Sequence, residues 1–254
     1  MPAPLTCILS YGLMCSPAEV LEVPPPTALE PIAAEDDGGD DGAPPTTDSP
    51  TTAPAKGEAS IVLTKVQGYY DKTDDMKATF TQTYIHGVYG TKDVNKGTLK
   101  VKKPGKMVWD YSDEKIPDIW VNDKTVNVVE RDTKQVVRRT VDKADFAGAE
   151  KFLFGGSKLI DDFKVRMANE TLTKRYGKKG HTVIELAPKK KNPHYDRLLL
   201  VVDDGSGRVS GFVVRNSADK STNHFELTGE TRNSGQPAGD FVFKKPKGFI
   251  IIDG

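Results

Sequence analysis

The residues of this chain whose types suit catalysis or metal binding are few and badly spaced for either. Its four histidines, His86, His181, His194 and His224, are scattered, and no His-x-x-x-His or similar ligand spacing joins them. The neighbouring carboxylates Asp161-Asp162 and Asp203-Asp204 would suit acid/base work only if they faced one another. Adjacent side chains in a strand point to opposite faces, and Asp203-Asp204-Gly205-Ser206-Gly207 reads as a hairpin turn. That Gly-Ser-Gly run is too short to cradle a phosphate, and no Gly-x-Ser-x-Gly nucleophile elbow is present. Both cysteines, Cys7 and Cys15, lie near the N-terminus, so the rest of the chain has neither a disulfide framework nor a thiol nucleophile. The sequence therefore proposes no enzyme, no catalytic residue, no metal ligand and no cofactor.

The stretch that does stand out is apolar. Gly97-Thr98-Leu99-Lys100-Val101-Lys102-Lys103-Pro104-Gly105-Lys106-Met107-Val108-Trp109 reads as two strands joined by a Lys-Pro-Gly turn. Leu99, Val101 and Lys103 share one face of the first strand, and Met107, Trp109 and Tyr111 share a face of the second. A cation ending an apolar strand face suits the rim of an apolar cavity with one polar anchor. A second apolar concentration, Phe152, Leu153, Phe154, Leu159 and Phe163, sits beside Gly155-Gly156. It reads either as ordinary core or as an apolar cover on a glycine hinge.

The formal net charge of zero conceals a split chain. Residues 1–59 carry ten acidic residues and one basic, Lys56, together with eleven of the seventeen prolines. No aromatic residue occurs between Tyr11 and Tyr69. Such a segment buries too little apolar surface to offset its ordering entropy, and is expected to be a disordered acidic linker. Leu5 to Cys15 has the length of a signal-peptide apolar region but lacks a preceding Lys or Arg, and is expected to be a truncated export signal. Residues 60–254 then hold the basic excess and are long enough for one domain with a sizeable core. Lys189-Lys190-Lys191 and Lys244-Lys245 read as solvated surface and blunted strand edges. No aromatic-studded basic module points to nucleic acid. No segment reaches the roughly 18 apolar residues of a membrane-spanning helix.

Helical spacing of Ile61, Val62, Lys65, Val66 and Tyr69 predicts a helix from Ile61 to about Asp75. Alternation then predicts strands at Met76 to His86, across the Gly97–Tyr111 hairpin, and at Ile119–Asn122, Thr125–Glu130 and Gln135–Val141. Lys143 to Phe154 reads as a second helix, with a short helical turn at Leu159-Ile160. Further strands are expected at Phe163–Met167, Thr171–Tyr176, Thr182–Leu186, Arg197–Val202, Val209–Arg215, His224–Arg232 and Phe241–Phe243, with Phe249–Ile252 closing the sheet. An antiparallel sheet of that size must curl, so a barrel-like sheet covered by helices is expected.

The order of motifs resembles the LolA-type periplasmic lipoprotein carriers. The matching pieces are Ala78-Thr79-Phe80-Thr81-Gln82, the Gly97–Gly105 run followed by Trp109, and Ile119 to Lys124. Phe152-Leu153-Phe154-Gly155-Gly156, Ile184 to Lys189, Asn223-His224-Phe225 and Phe241 to Gly248 complete the series, from about 61 to 252. The resemblance implies a mainly β fold: an incomplete, half-open antiparallel β-barrel with α-helices forming a lid over an apolar cavity. It implies a monomeric periplasmic carrier that takes acylated lipoproteins from an inner-membrane ABC-type transporter to an outer-membrane acceptor. On this reading Phe80, Leu99, Val101, Met107, Trp109, Phe212 and Phe225 line the acyl-chain cavity, and Phe146, Leu153, Phe154 and Leu159 belong to the lid. In the carriers an Arg before the turn proline latches the lid. Here Lys103 holds that place, keeping the charge but losing the planar fork. Other readings are a lipid- or lipoprotein-sensing domain of the same fold, the outer-membrane acceptor, and a structural β-domain. The acceptor projects an apolar loop, for which Ser112-Asp113-Glu114-Lys115 is too charged.

Overall fold

The computed structural model describes residues 57–122, 124–140, 158–192 and 195–254. The acidic N-terminal segment up to residue 56, the helix expected from Lys143 to Phe154 and His194 lie outside the described residues. The chain enters through α1 (Glu58–Asp71), in which Ala59, Leu63, Val66 and Tyr70 recur at helical spacing and form one buried stripe. The helix starts three residues earlier and ends four residues sooner than its apolar periodicity suggests. The Tyr69 carbonyl accepts a hydrogen bond from the Thr73 hydroxyl at 2.9 Å, and the Tyr70 carbonyl one from the Thr73 N–H at 3.0 Å.

Six strands follow: β1 (Asp75–Ile85), β2 (Lys92–Lys102), β3 (Lys106–Tyr111), β4 (Asp118–Val121), β5 (Thr125–Glu130) and β6 (Gln135–Thr140). After the one-turn helix α2 (Leu159–Asp162) come β7 (Phe163–Met167), α3 (Glu170–Tyr176), β8 (His181–Pro188), β9 (Arg197–Asp203), β10 (Val209–Asn216) and β11 (Ser221–Arg232). A 3₁₀ turn at Ala238–Phe241 and β12 (Ile250–Asp253) complete the described chain. All twelve strands form one sheet in the order β12-β6-β5-β4-β3-β2-β1-β11-β10-β9-β8-β7. The edges β12 and β7 do not pair, so the sheet is open, as the half-open barrel expectation requires. Its inward face and the buried stripe of α1 belong to one continuous apolar core.

Three sequence expectations are corrected. Thr171–Tyr176 is helical, not extended: the Asn169 side chain caps α3 by accepting from the Leu172 N–H at 2.9 Å, and Glu170 pairs with Lys174 one turn on at 2.6 Å. Leu172 and Tyr176 of this helix pack on the outward face of the sheet, over Val183, Leu199, Val201 and Val213. Phe241–Phe243 is not a strand. Phe241 ends the 3₁₀ turn and is buried, while the Phe243 ring meets Trp120 edge-on at 6.1 Å. Finally, the last strand does not close the sheet but extends its edge, pairing with β6 in parallel. Parallel pairing needs a crossover, and residues 233–249 supply it.

That crossover is anchored at its start by a buried carboxylate. Asp75 accepts from the backbone N–H groups of Ser234, Gly235 and Gln236 at 2.9, 3.0 and 3.2 Å, and from the Ser234 hydroxyl at 3.0 Å. Burial alone would raise its pKa. The hydrogen bonds from Gln236 and Ser234 outweigh that effect and hold it below the usual carboxylate value.

Candidate functional site: an aromatic inner wall under a tethered helix

Period-two alternation puts Met76, Ala78, Phe80, Gln82 and Tyr84 of β1 on the inward face. Leu99 and Val101 of β2, Met107, Trp109 and Tyr111 of β3, Phe212 of β10 and Phe225 of β11 point the same way and are buried with them. The seven residues expected to line the cavity therefore lie together in one cluster. Their rings are in direct contact. Phe80 meets Trp109 and Tyr111 edge-on at 5.0 Å each and Phe225 at 6.0 Å, Trp109 lies 5.2 Å from Phe225, and Phe225 stacks on Phe212 at 4.7 Å. The Trp109 indole N–H donates to the Met107 sulfur at 3.1 Å, so this polar group is satisfied within the wall.

Phe80 reaches Trp109 and Tyr111 although β2 runs between their strands. Gly97, paired with Phe80 on one side and Tyr111 on the other, leaves the gap. A Cβ at Gly97 would sit 2.6 Å from Phe80 Cζ and 2.3 Å from the Asp110 carbonyl oxygen. The sequence reading places Gly97 at the start of a strand and gives it no role. Its position opposite two aromatics is the signal that could have found it.

Lys103 is half-buried at the end of the same inward face, and its Nζ donates to the Tyr70 carbonyl in the last turn of α1. A cation there meets the negative end of the helix dipole. Burial pulls the Lys103 pKa down, against the opposing pull of Asp71 and Asp74. Tyr70 is held at its other end too, its hydroxyl accepting from the Val209 N–H of β10 at 3.2 Å. Burial pushes the Tyr70 pKa well above the ordinary phenol value, so it stays neutral. The expected latch residue thus contacts α1, which packs against β7, β8 and α2 and shares one apolar core with the wall.

Of the expected lid residues, Phe146, Leu153 and Phe154 lie outside the described residues. Leu159 is fully buried in α2, and its N–H donates to Gln67 Oε1 of α1 at 3.0 Å. Between α1 and α2 lies a mostly apolar cavity of about 270 Å³, bordered by Leu63, Gln67, Gly68, Lys158 and Ile160.

The described histidines and the turn carboxylates stand apart from this wall. His86 pairs with Asp93 at 2.9 Å near the β1–β2 turn, and His224 packs against Tyr176 on the outward face. Asp203 accepts from the Ser206 hydroxyl and N–H at 2.6 and 2.8 Å, which lowers its pKa as a turn carboxylate. Among the described residues no group of His, Cys, Asp and Glu could hold a metal ion, and no helix is long and apolar enough to cross a membrane. What the arrangement offers is a continuous apolar, aromatic face sharing its core with a helix tethered at its end.

Known proteins are similar to this chain over most of its length. The family model described as outer membrane lipoprotein carrier protein LolA matches residues 71–249. The outer-membrane lipoprotein carrier protein of Cupriavidus taiwanensis is 26% identical over 206 residues, covering 79% of this chain and 90% of the relative. That of Chromobacterium violaceum is 22% identical over 205 residues, covering 80% and 91%. Among solved structures, an uncharacterized conserved protein from Thermus thermophilus has a TM-score of 0.49 at 10% identity, covering 77% of this chain and 99% of that one. Because the family model matches residues 71–249, well over half of its length, the chain belongs to the LolA family of outer-membrane lipoprotein carrier proteins.

Proposed function

We propose that this protein is a periplasmic lipoprotein carrier. It buries the acyl chains of lipoproteins against the aromatic wall and shuttles them, as a monomer and without a chemical step, from an inner-membrane ABC-type transporter to an outer-membrane acceptor. The observation that carries this reading is the unbroken inward apolar face from Leu99 and Val101 through Trp109 and Phe80 to Phe225 and Phe212. Membership of the family whose relatives bear the carrier name supports it.

Reversibility is the physical problem such a protein must solve. Each buried CH₂ is worth about 0.8 kcal/mol, so two or three long chains would on paper gain tens of kcal/mol. Binding of that strength would not release. An occupant must first displace side chains that already share the wall's packed core, those of α1 among them. If α1 lifts, burial of Leu63, Val66 and Tyr70 is forfeited, about 1.5–3 kcal/mol for each side chain. The Lys103 bond to the Tyr70 carbonyl is lost as well. This competition lowers net affinity toward a range where cargo can be handed on.

Intact-mass spectrometry of the protein purified from its native envelope tests the reading. Co-purified acylated lipoprotein is the expected result, and a protein found in the cytosol with Met1 intact would overturn it.

One observation favours a second reading, the outer-membrane acceptor. The β1–β2 turn presents Val88 and Tyr89 at 78% and 83% exposure, an apolar tip suited to entering a lipid surface. Co-sedimentation with anionic vesicles that is lost in Tyr89→Ser would support the acceptor. No vesicle binding leaves the carrier.

A further inference from the structure

The inward faces of four neighbouring strands change from apolar to polar along one diagonal line across the sheet. On β1, Met76, Ala78 and Phe80 are followed by Gln82 and Tyr84. On β2, read back from its end, Val101 and Leu99 give way after Gly97 to Asn95. On β11, Leu227 and Phe225 give way to Asn223 and Ser221, and on β10 Phe212 and Val214 lead to Asn216. The register makes the line continuous but stepped: Gln82 lies between Asn95 and Phe225, Asn223 between Tyr84 and Val214, and Ser221 opposite Asn216.

A chain of hydrogen bonds runs along the boundary. The Tyr111 hydroxyl donates to Gln82 Oε1 at 2.9 Å, and Gln82 Nε2 donates to Asn223 Oδ1 at 3.0 Å. The three residues come from β3, β1 and β11, and all are buried, Gln82 completely. Ordinary core packing would continue the apolar face, because a buried amide is costly unless its partners are all in place. Here the network is mutually satisfied. A methyl group pushed into it would separate donor from acceptor and leave both desolvated.

We propose that the Tyr111–Gln82–Asn223 row is the floor of the acyl-chain site and sets the longest chain the wall accepts. The inference rests on the carrier reading above. From Met76 to Gln82 the strand covers roughly 20 Å. One leaflet of a bilayer's hydrocarbon core, the depth of one long acyl chain, is about 15 Å.

The test is a series of N-acylglycines of about 10 to about 20 carbons, titrated below their micelle concentrations and followed by tryptophan fluorescence. Wild-type affinity rises about fourfold per CH₂, the equivalent of 0.8 kcal/mol, and then breaks to a plateau. In Tyr111→Phe/Gln82→Leu/Asn223→Leu, which removes donors and acceptors together, the break moves to longer chains. Tyr111→Phe alone preserves the ring and shifts the break less, so it and the wild-type series decide the matter if the triple variant does not fold. Affinity that climbs without a break in the wild type overturns the floor while leaving the carrier reading intact. So does a break that stays put in a folded triple variant. Failure of the wild type to bind any chain overturns both.

Discussion

Replacing Gly97 by alanine should break the wall by adding a single carbon. The new Cβ would lie 2.3 Å from the Asp110 carbonyl oxygen and 2.6 and 2.8 Å from Cζ and Cε1 of Phe80. Asp110 sits in the β2–β3 ladder opposite Thr98, so its carbonyl cannot swing away without disturbing that pairing. The Phe80 ring must therefore move, giving up its edge-on contacts with Trp109 and Tyr111. Overpacking of this kind costs about 1–3 kcal/mol, and each lost aromatic pair about 0.5–1.5 kcal/mol. Alanine recovers about 0.5–1 kcal/mol of strand propensity over glycine, leaving a net loss of about 1–5 kcal/mol. Urea unfolding should show the midpoint falling by about 1 M or more at unchanged slope. Adding Phe80→Leu removes the ring clash but not the backbone one, so the double variant should be less destabilised than the two singles summed, by about 1 kcal/mol or more. Gly97→Ala within about 0.5 kcal/mol of wild type would refute the close approach, since substitutions clear of such contacts fall in that range.

Other perturbations probe the elements around the wall. Lys103→Leu removes the cation from the Tyr70 carbonyl and should cost about 1–2 kcal/mol, since that carbonyl keeps the Thr73 N–H. Hydrogen exchange should show α1 amides deprotected more than those of the central strands, with Lys103→Arg restoring them. Asp75→Ala leaves three backbone N–H groups of the crossover without their acceptor and should cost about 2–3 kcal/mol by urea unfolding. Because the folded Asp75 pKa lies below its ordinary value of 3.8, its contribution is complete above that pH and fades as pH falls through the folded value. His224 behaves differently. Its pKa is lowered from 6.5, chiefly by burial, with Lys178, Arg175 and Lys92 adding to the shift and Glu226 opposing it. It folds neutral without penalty above pH 6.5, and stability is lost as pH falls from there through the folded value, a slope that His224→Gln should flatten.

The wall is legible in the sequence because strands announce their buried face by alternation, which β1 and β2 follow and β3 follows apart from the buried Val108. Met107, Trp109 and Tyr111 fall on one face by that pattern alone. The cap of α3 is also written locally, in Asn169 and the Glu170–Lys174 pair, yet the alternation of Thr171, Leu172 and Thr173 masks it. What alternation cannot convey is register. The ring of Phe80 crossing Gly97, the Tyr111–Gln82–Asn223 row and the parallel docking of β12 depend on which residues of distant strands face one another. The helix is legible from its periodicity, but its contact with Lys103 is not, because Tyr70 lies 33 positions away and is joined to it only by the folded sheet.

The central claim is that acyl chains lie on the inward face of the sheet. A photoreactive amino acid placed at Leu99, inside the wall, or at exposed Thr79 on the other face of β1 tests it directly. After irradiation with a radiolabelled acylated lipoprotein, the account predicts crosslinks to the acyl chains from position 99 and none from position 79. Equal labelling at both positions, or labelling at 79 alone, would contradict it.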